Sequence, residues 1–214
     1  MSTTILLIRH GETAFNLERR LQGHTDIALN DTGLRQAAAL GAALADTHLD
    51  AIVSSDLKRA HQTALAIAAG RDIVVQSDPA LRERSYGGFE GMLHGDIAAR
   101  FPNEYAAWQA RHVDAQMPHG ERAAETFRQF YQRAVAAIAD WGTRYHGRTI
   151  AIVAHGGVLE CAYRAAMGLP LEGARDFSVK NASLNRFSFA DGKLKLDAWG
   201  DVAHLAAPAM DEQG

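Results

Sequence analysis

A short apolar run near the amino terminus ends abruptly in charged residues. Ile5 to Ile8 are four consecutive large apolar residues, two of them β-branched. This pattern predicts a short strand that is buried on both faces, as in a parallel sheet. Arg9, His10 and Gly11 follow directly. Because ligands of open α/β sheets bind at the carboxyl ends of strands, these residues are predicted to lie at a ligand crevice, unless they merely end the strand.

Two further stretches repeat this arrangement. The apolar run 149–154 ends in His155 and Gly156, and the run 49–55 is followed by a predicted helix with Arg59 in its first turn. Asp56 is the residue expected to cap that helix. If the strands are parallel, all three ends meet at one edge of the sheet, so the sequence predicts a shared crevice.

The rest of the chain alternates between helical and strand patterns. This alternation predicts an α/β fold with a mostly parallel sheet and helices on both faces. Residues 14–30 read as a loop over the strand ends, and residues 84–121 as an insertion that covers the crevice. The predicted helices are 33–45, 96–111, 121–145 and 158–167, with an edge strand at 72–76 and a C-terminal hairpin of 184–189 with 193–199.

Length and composition narrow the class of protein. The 214 residues are predicted to form one domain, with a frayed tail at 208–214. The net charge is −3 with acids and bases intermixed, so we expect no nucleic-acid partner. We expect no membrane partner either, since no transmembrane run or signal peptide is evident. The single Cys161 excludes an intramolecular disulfide and predicts a reducing, cytoplasmic location.

The two arginines and two histidines predicted at this crevice suit the binding of a phosphoryl group. Arginine forks bind phosphate oxygens in bidentate fashion, and two arginines with two histidines describe a site for a dianion. A carboxylate near this positive charge, Glu83, would serve as a proton donor or acceptor. A cysteine phosphatase is excluded because Met167 stands where its arginine would be, six positions after Cys161. No P-loop or zinc-ligand pattern is present.

Four blocks in order resemble the histidine phosphatase superfamily, the group that contains cofactor-dependent phosphoglycerate mutases and many small phosphatases. They are Arg9-His10-Gly11-Glu12-Thr13, Arg59 within Lys-Arg-Ala-x-Gln-Thr, Glu83 before Tyr86-Gly87, and Ala154-His155-Gly156-Gly157. The resemblance runs from Ile5 to Leu205. It implies a three-layer α/β/α domain with a helical insertion over the active site.

The resemblance also implies roles for individual residues. His10 resembles the nucleophile that accepts the phosphoryl group, and Glu83 resembles the acid that protonates the leaving alkoxide and then activates water. Arg9, Arg59 and His155 resemble the pocket that holds phosphate, so no metal is expected. The residues expected to add substrate contacts are Asn16, Gln22, Gly23, Arg84, Tyr86 and the backbone of Gly156.

Three functions remain open from the sequence. A phosphatase acting on a small phosphorylated metabolite is favoured, because the insertion carries Arg111 alone where mutases have an adjacent arginine pair. A phosphoglycerate mutase, which would need 2,3-bisphosphoglycerate as cofactor, is the alternative, since Glu83-Arg84-x-Tyr86 keeps part of the mutase pattern. A non-catalytic phosphate-binding protein is the third. Edge strands or the C-terminal hairpin could pair two copies, so a homodimer is also an open expectation.

Overall fold

A mixed sheet with helices on both faces forms the frame of the molecule. The computed structural model describes residues 1–206 and 208–211. Within them the strands are β1 (Thr3–Arg9), β2 (Ala51–Ser54), β3 (Val75–Ser77), β4 (Thr149–Ala154), β5 (Leu184–Ala190) and β6 (Lys193–Asp201). The helices are α1 (Ala14–Glu18), α2 (Asp31–Ala43), α3 (Lys58–Ala68), α4 (His94–Arg100), α5 (Pro102–Gln109), α6 (Phe127–Arg144) and α7 (Gly156–Met167).

The strand order places the predicted site residues together. The sheet runs β3-β2-β4-β1-β5-β6. Strands β3, β2, β4 and β1 pair in parallel, whereas the hairpin β5-β6 joins β1 antiparallel. The prediction of a mostly parallel sheet is therefore confirmed. Since β1 and β4 are neighbours in register, with Arg9 opposite Ala154, the histidines that follow both strands emerge side by side.

Alternate residues of the buried strands face two separate cores. Ile5 and Leu7 of β1 pack with α6 and α7, where the aromatic stripe that includes Phe130 and Trp141 is buried as predicted. Leu6 and Ile8 point the other way. There they join the buried side chains of α2 and α3. This two-sided burial explains why the strands read as continuous apolar runs.

Helices α4 and α5 lie in the segment predicted as an insertion. Their apolar side chains form a third cluster around Phe89, Ile97 and Met117, separate from the two cores of the sheet. The pattern at 96–111 predicted one helix, and that prediction is wrong. Pro102 lacks a backbone N–H and begins a new helix after Phe101, whose ψ of 60° interrupts the first.

Other boundaries differ because of capping interactions. Residues 14–30 were predicted as a loop, but the reciprocal hydrogen bonds between Thr13 and Asn16 begin the short helix α1. The helix predicted from residue 121 begins only at Phe127, because Thr126 caps it. The structure also corrects the cap predicted for α3. The carboxylate of Asp56 binds Arg82 instead.

The chain end described by the structure differs from the predicted frayed tail. The Asn181 N–H donates to the Met210 carbonyl at 2.9 Å, and the Val179 N–H donates to Asp211 Oδ1 at 2.6 Å. Met210 and Asp211 thus hydrogen-bond to the loop that precedes β5. Residues 212–214, the remainder of the predicted tail, lie outside the described residues. Within the described part of the chain, no helix has the length and apolar character needed to cross a membrane.

Candidate active site

His10 emerges from the end of β1 with one ring nitrogen already engaged. Its Nδ1 lies 2.6 Å from the carbonyl oxygen of Gly11. A carbonyl can only accept a hydrogen bond, so Nδ1 carries the proton and Nε2 keeps its lone pair for attack. Burial first, and then the charges of Arg59 and Arg9, hold the pKa of His10 well below its usual range. The ring is therefore neutral, as a nucleophile must be.

The turn after His10 leaves room only for glycine. A Cβ on Gly11 would lie 2.6 Å from the carbonyl oxygen of Gly33 at the start of α2. The Gly11 N–H also donates to Thr63 Oγ1 on α3 at 3.1 Å. On its other side, the His10 carbonyl accepts a hydrogen bond from Asn181 Nδ2 at 3.0 Å. These contacts fix the backbone that orients the imidazole.

Two buried arginines flank His10. Arg59 donates to the carbonyl oxygens of Thr25 at 2.9 Å and Gly23 at 2.7 Å, which anchors the loop after α1 over the strand ends. Arg9 donates to the carbonyl oxygen of Val179. Both guanidinium groups are almost wholly buried. The positive charges of both arginines contribute to the lowered pKa of His10.

His155 lies beside His10 at the end of β4. The ring centroids are 5.2 Å apart, and His155 Nε2 lies 2.8 Å from Ser55 Oγ at the end of β2. Its Nδ1 has no hydrogen-bond partner among the described residues, which leaves that atom for a phosphoryl oxygen. Burial, followed by the charges of Arg59 and His10, lowers the pKa of His155 well below its usual value. A phosphoryl dianion alongside would raise it again.

Glu83 faces the same cleft as His10, held by two backbone donors. Its carboxylate accepts hydrogen bonds from the N–H of Arg84 at 2.8 Å and from the N–H of Gly157 at 3.0 Å. A Cβ on Gly157 would lie 2.3 Å from Glu83 Oε1, so glycine is required at this second position of α7. The neighbouring Gly156 is the buried first residue of the same helix. The helix amino terminus therefore positions the carboxylate.

The loop after β1 supplies polar side chains to the cleft. The Thr13 N–H lies 3.1 Å from Asn16 Oδ1, and Thr13 Oγ1 lies 2.9 Å from Gln22 Oε1. A backbone N–H can only donate, so the contacted atom of Asn16 is its amide oxygen, and its Nδ2 remains available to a ligand. Gly23 has a φ of +53°, a left-handed conformation that favours glycine.

The predicted residues do not all lie in one place. A cleft of about 610 Å³ is lined by His10, Asn16, Gln22, Gly23, Arg59, Glu83 and Tyr86, among others. Arg9 and His155 are not among the residues that line this cleft. Arg84 instead lines a second cleft of about 630 Å³, which shares Tyr86 and Leu21 with the first.

Sequence reasoning missed several residues of the site. Ser55, Thr63 and Asn181 contact the histidines or the turn that holds them. Met210 and Asp211 also line the first cleft. The serine at the end of β2 was readable as another strand-end residue, but no local pattern marks the others. Among residues 1–206 and 208–211, no group of three or more His, Cys, Asp or Glu side chains is arranged to hold a metal ion.

Two plant proteins and one solved bacterial structure are similar to this chain along nearly its whole length. Phosphoglycerate mutase-like protein 4 of Arabidopsis thaliana is 36% identical over 215 residues, which cover 98% of this chain and 90% of that protein. A metal-independent phosphoserine phosphatase of the same plant is 35% identical over 214 residues, covering 99% of this chain and 87% of that protein. The solved structure of Bacillus stearothermophilus YhfR superposes with a TM-score of 0.86 at 35% identity, covering 94% and 98% of the two chains.

A family profile decides the assignment. The profile described as histidine phosphatase superfamily (branch 1) matches residues 5–202. That range includes both strand-end histidines, both buried arginines and the cleft carboxylate. A phosphatase among the named relatives supports an enzyme of phosphatase type. By its profile match and by relatives that align along nearly its whole length, the chain belongs to the histidine phosphatase superfamily.

Proposed function

We propose that the chain is a metal-independent phosphomonoester hydrolase, which acts on a small phosphorylated metabolite through a phosphohistidine intermediate. The observation that carries this proposal is the contact between His10 Nδ1 and the Gly11 carbonyl, which leaves Nε2 as the nucleophile in a cleft that also holds Glu83. An arrangement that only bound phosphate would have no need of a neutral imidazole with a free lone pair beside a carboxyl group.

The first step transfers the phosphoryl group to the enzyme. His10 Nε2 forms a bond to phosphorus while the bond from phosphorus to the ester oxygen breaks, and the Glu83 carboxyl gives its proton to that oxygen. Charge spreads over the three equatorial oxygens in the transition state. Arg9, Arg59 and His155 lie where they can stabilise that charge, and no metal is needed for this role.

The second step releases phosphate. The Glu83 carboxylate takes a proton from water as the water oxygen attacks phosphorus, and the N–P bond breaks. The proton stays on the carboxyl group, which is then ready for the next ester. During the covalent stage, the Gly11 carbonyl accepts a hydrogen bond from the positively charged imidazole ring.

A phosphoglycerate mutase is the second candidate. One relative is named as mutase-like, and Arg84 with Tyr86 borders the site as in the mutase pattern. In that case the phosphohistidine would return its phosphoryl group to a bound acid rather than to water, and 2,3-bisphosphoglycerate would act as cofactor. The hydrolase is preferred because the insertion at residues 84–121, called the cap from here on, lacks the adjacent arginine pair expected of mutases.

The test is a set of phosphomonoesters incubated with the purified protein and EDTA. Released phosphate and, from 3-phosphoglycerate, formed 2-phosphoglycerate are both measured. We expect phosphate release that falls by about 10⁴-fold or more in His10→Ala, because no other group forms the covalent intermediate. His48→Ala, which changes an exposed histidine far from the cleft, serves as the control.

Other outcomes contradict parts of the proposal. Phosphate release that survives in His10→Ala would exclude the phosphohistidine mechanism, and activity that EDTA abolishes would exclude metal independence. Formation of 2-phosphoglycerate stimulated by 2,3-bisphosphoglycerate would make the protein a mutase. The absence of turnover with every ester would favour the phosphate-binding protein.

A further inference from the structure

The backbone around Glu83 is held by side chains rather than by regular secondary structure. Residues 82–86 belong to no helix or strand. Their peptide groups still need partners, since an unpaired peptide group buried away from water is costly. The Glu83 carbonyl oxygen accepts two hydrogen bonds, from His24 Nε2 at 2.8 Å and from Arg133 Nη2 at 3.1 Å. These two donors therefore hold the backbone that carries the proposed acid.

The two donors connect Glu83 to different parts of the molecule. Arg133 belongs to α6, where its guanidinium pairs with Glu125 and also donates to two carbonyl oxygens of the stretch 80–82, each at 2.9 Å. It thus holds the whole stretch that leads to Glu83, and its loss would disturb more than the acid. His24 comes instead from the loop after α1, and its ring reaches the Glu83 carbonyl. His24 is therefore the sharper probe of how the acid is placed.

Arg59 holds the loop on either side of His24. Its guanidinium donates to the carbonyl oxygens of Gly23 and Thr25, the two residues adjacent to His24 in the chain. Arg59 also lines the cleft in which the phosphoryl group is proposed to bind. The contacts from Arg59 through His24 to Glu83 therefore connect the group that would hold phosphate with the group that would protonate the leaving oxygen.

Glu90 ties the same loop to the segment that carries the acid. Its Oε1 accepts hydrogen bonds from the backbone N–H groups of His24 and Tyr86, each at 3.0 Å. A Cβ on Gly23 would lie 2.3 Å from that oxygen, so a larger residue there would displace the carboxylate. The loop and the segment 83–90 are thus held in one relative position, and the backbone of His24 is fixed while its ring donates to Glu83.

We propose that His24 is a positioning residue for the acid–base step, which holds Glu83 within reach of the ester oxygen of the phosphoryl group that Arg59 binds. His24 is not among the residues that line the cleft, so it acts through Glu83 rather than on the substrate. A carbonyl oxygen can only accept, so the imidazole carries a proton on Nε2. A catalytic group misplaced by about 1 Å can cost about 10²-fold in rate. This inference rests on the proposed function and adds a positioning residue to it.

The test compares esters whose leaving groups differ in their need for a proton. Glycerol and glycerate leave as alkoxides and need the acid, whereas p-nitrophenolate leaves without it. The enzyme is kept in excess over the ester, so that only the first step is followed. His24→Ala should slow the release of alcohol from glycerol 3-phosphate and 3-phosphoglycerate by about 10- to 100-fold. The release of nitrophenol from p-nitrophenyl phosphate should stay within about twofold of the parent protein.

His24→Gln separates the hydrogen bond from the ring. The amide nitrogen of glutamine can also donate to the Glu83 carbonyl, so this variant should recover most of the rate with the two alkyl phosphates. His48→Ala removes an exposed histidine far from the cleft and should behave as the parent protein does. In ¹⁵N NMR of the imidazole rings, the signals that His24→Gln removes should show a protonated Nε2. Circular dichroism and thermal unfolding check that each variant is folded.

Each outcome decides the inference. In folded His24→Ala, an equal loss with all esters, or no loss with the alkyl phosphates, would overturn it. An unprotonated Nε2, or a His24→Gln variant as slow as His24→Ala, would overturn it as well. Hydrolysis of p-nitrophenyl phosphate that depends on His10 would show, in either case, that the proposed function stands. If the parent protein releases alcohol from no ester, the proposed function fails and the role of His24 fails with it.

Discussion

The two clefts are built in different ways. In the cleft around His10, the two histidines follow the ends of the neighbouring strands β1 and β4, and Arg59 lies in the first turn of the helix after β2. In the second cleft, the cations come from three separate segments: the stretch after Glu83, the turn after α5 and the loop after α7. Glu160 pairs with two of them, Arg111 and Arg175, and the Arg84 guanidinium lies over the rings of Tyr86 and Phe127.

Because of this difference, we expect the cleft around His10 to determine the rate of the reaction and the second cleft to determine which substrate is preferred. The sheet edge holds His10 and His155 rigidly, since the strands that precede them are buried on both faces. A cap and a loop can change without disturbing that edge. We infer that changes around His10 should alter the rate for every ester alike. Changes around Arg111 should alter the ratio between esters.

The largest change in rate that would distinguish the two clefts is expected for Glu83→Gln. Loss of the acid should lower kcat for alkyl phosphates by about 10²- to 10⁴-fold, because an alkoxide leaves poorly without a proton. The ratio of 3-phosphoglycerate to glycerol 3-phosphate should stay as it is in the parent protein. Steady-state kinetics on both esters, with Glu104→Gln on the cap surface as the control, measure the two quantities.

p-Nitrophenyl phosphate tests the same variant more finely. Its phenolate leaves without help from an acid, so Glu83→Gln should still be phosphorylated but should release phosphate slowly. The expected signature is a burst of nitrophenol equal to the enzyme concentration. A variant that keeps the full rate on alkyl phosphates, or that changes the ratio between the esters, would break the separation of the two clefts.

The sequence predicted the positions of residues most clearly where the pattern that marks them is local. His10 follows its strand and precedes its glycine, and the same local order recurs at His155, so these positions could be read directly. The parallel core strands could also be predicted from the sequence, because burial on both faces leaves continuous apolar runs. The hairpin β5-β6 was marked by its Asp191-Gly192 turn, where both residues have positive φ.

The remaining features depend on contacts across long stretches of chain. Asp56 looked like a helix cap, but Arg82 competes for its carboxylate, and Asp26 from the loop after α1 accepts from the Lys58 N–H instead. The meeting of Arg111 and Arg175 on Glu160 joins segments about fifty and fifteen residues apart. No spacing rule connects such positions, so the second cleft could not be predicted from the sequence.

A smaller effect concerns the protonation of the histidines. Burial and the neighbouring arginines lower the pKa of His10 and of His155, so the folded protein should leave both rings neutral well below pH 6.5. The unfolded chain binds protons there and the folded chain does not, so the free energy of unfolding should fall as the pH drops from about 6.5. NMR titration of the imidazole signals measures the pKa of each histidine in the folded protein, and the urea-unfolded chain gives the reference value.

The same titration discriminates between the clefts. Arg111→Gln changes a charge of the second cleft only, so it should leave the titration of His10 where it is in the parent protein. Titration of His10 at or above pH 6.5 in the folded protein would contradict the neutral nucleophile. A shift caused by Arg111→Gln would show that the two clefts are electrostatically coupled.

The central claim is that His10 carries the phosphoryl group. The most direct measurement is mass spectrometry of Glu83→Gln, quenched in alkali shortly after mixing with p-nitrophenyl phosphate, since phosphohistidine survives in base. We expect one phosphoryl group per chain, on His10, and none when His10 is also replaced by alanine. Phosphate release without a phosphorylated protein, or phosphorylation of a different side chain, would contradict it.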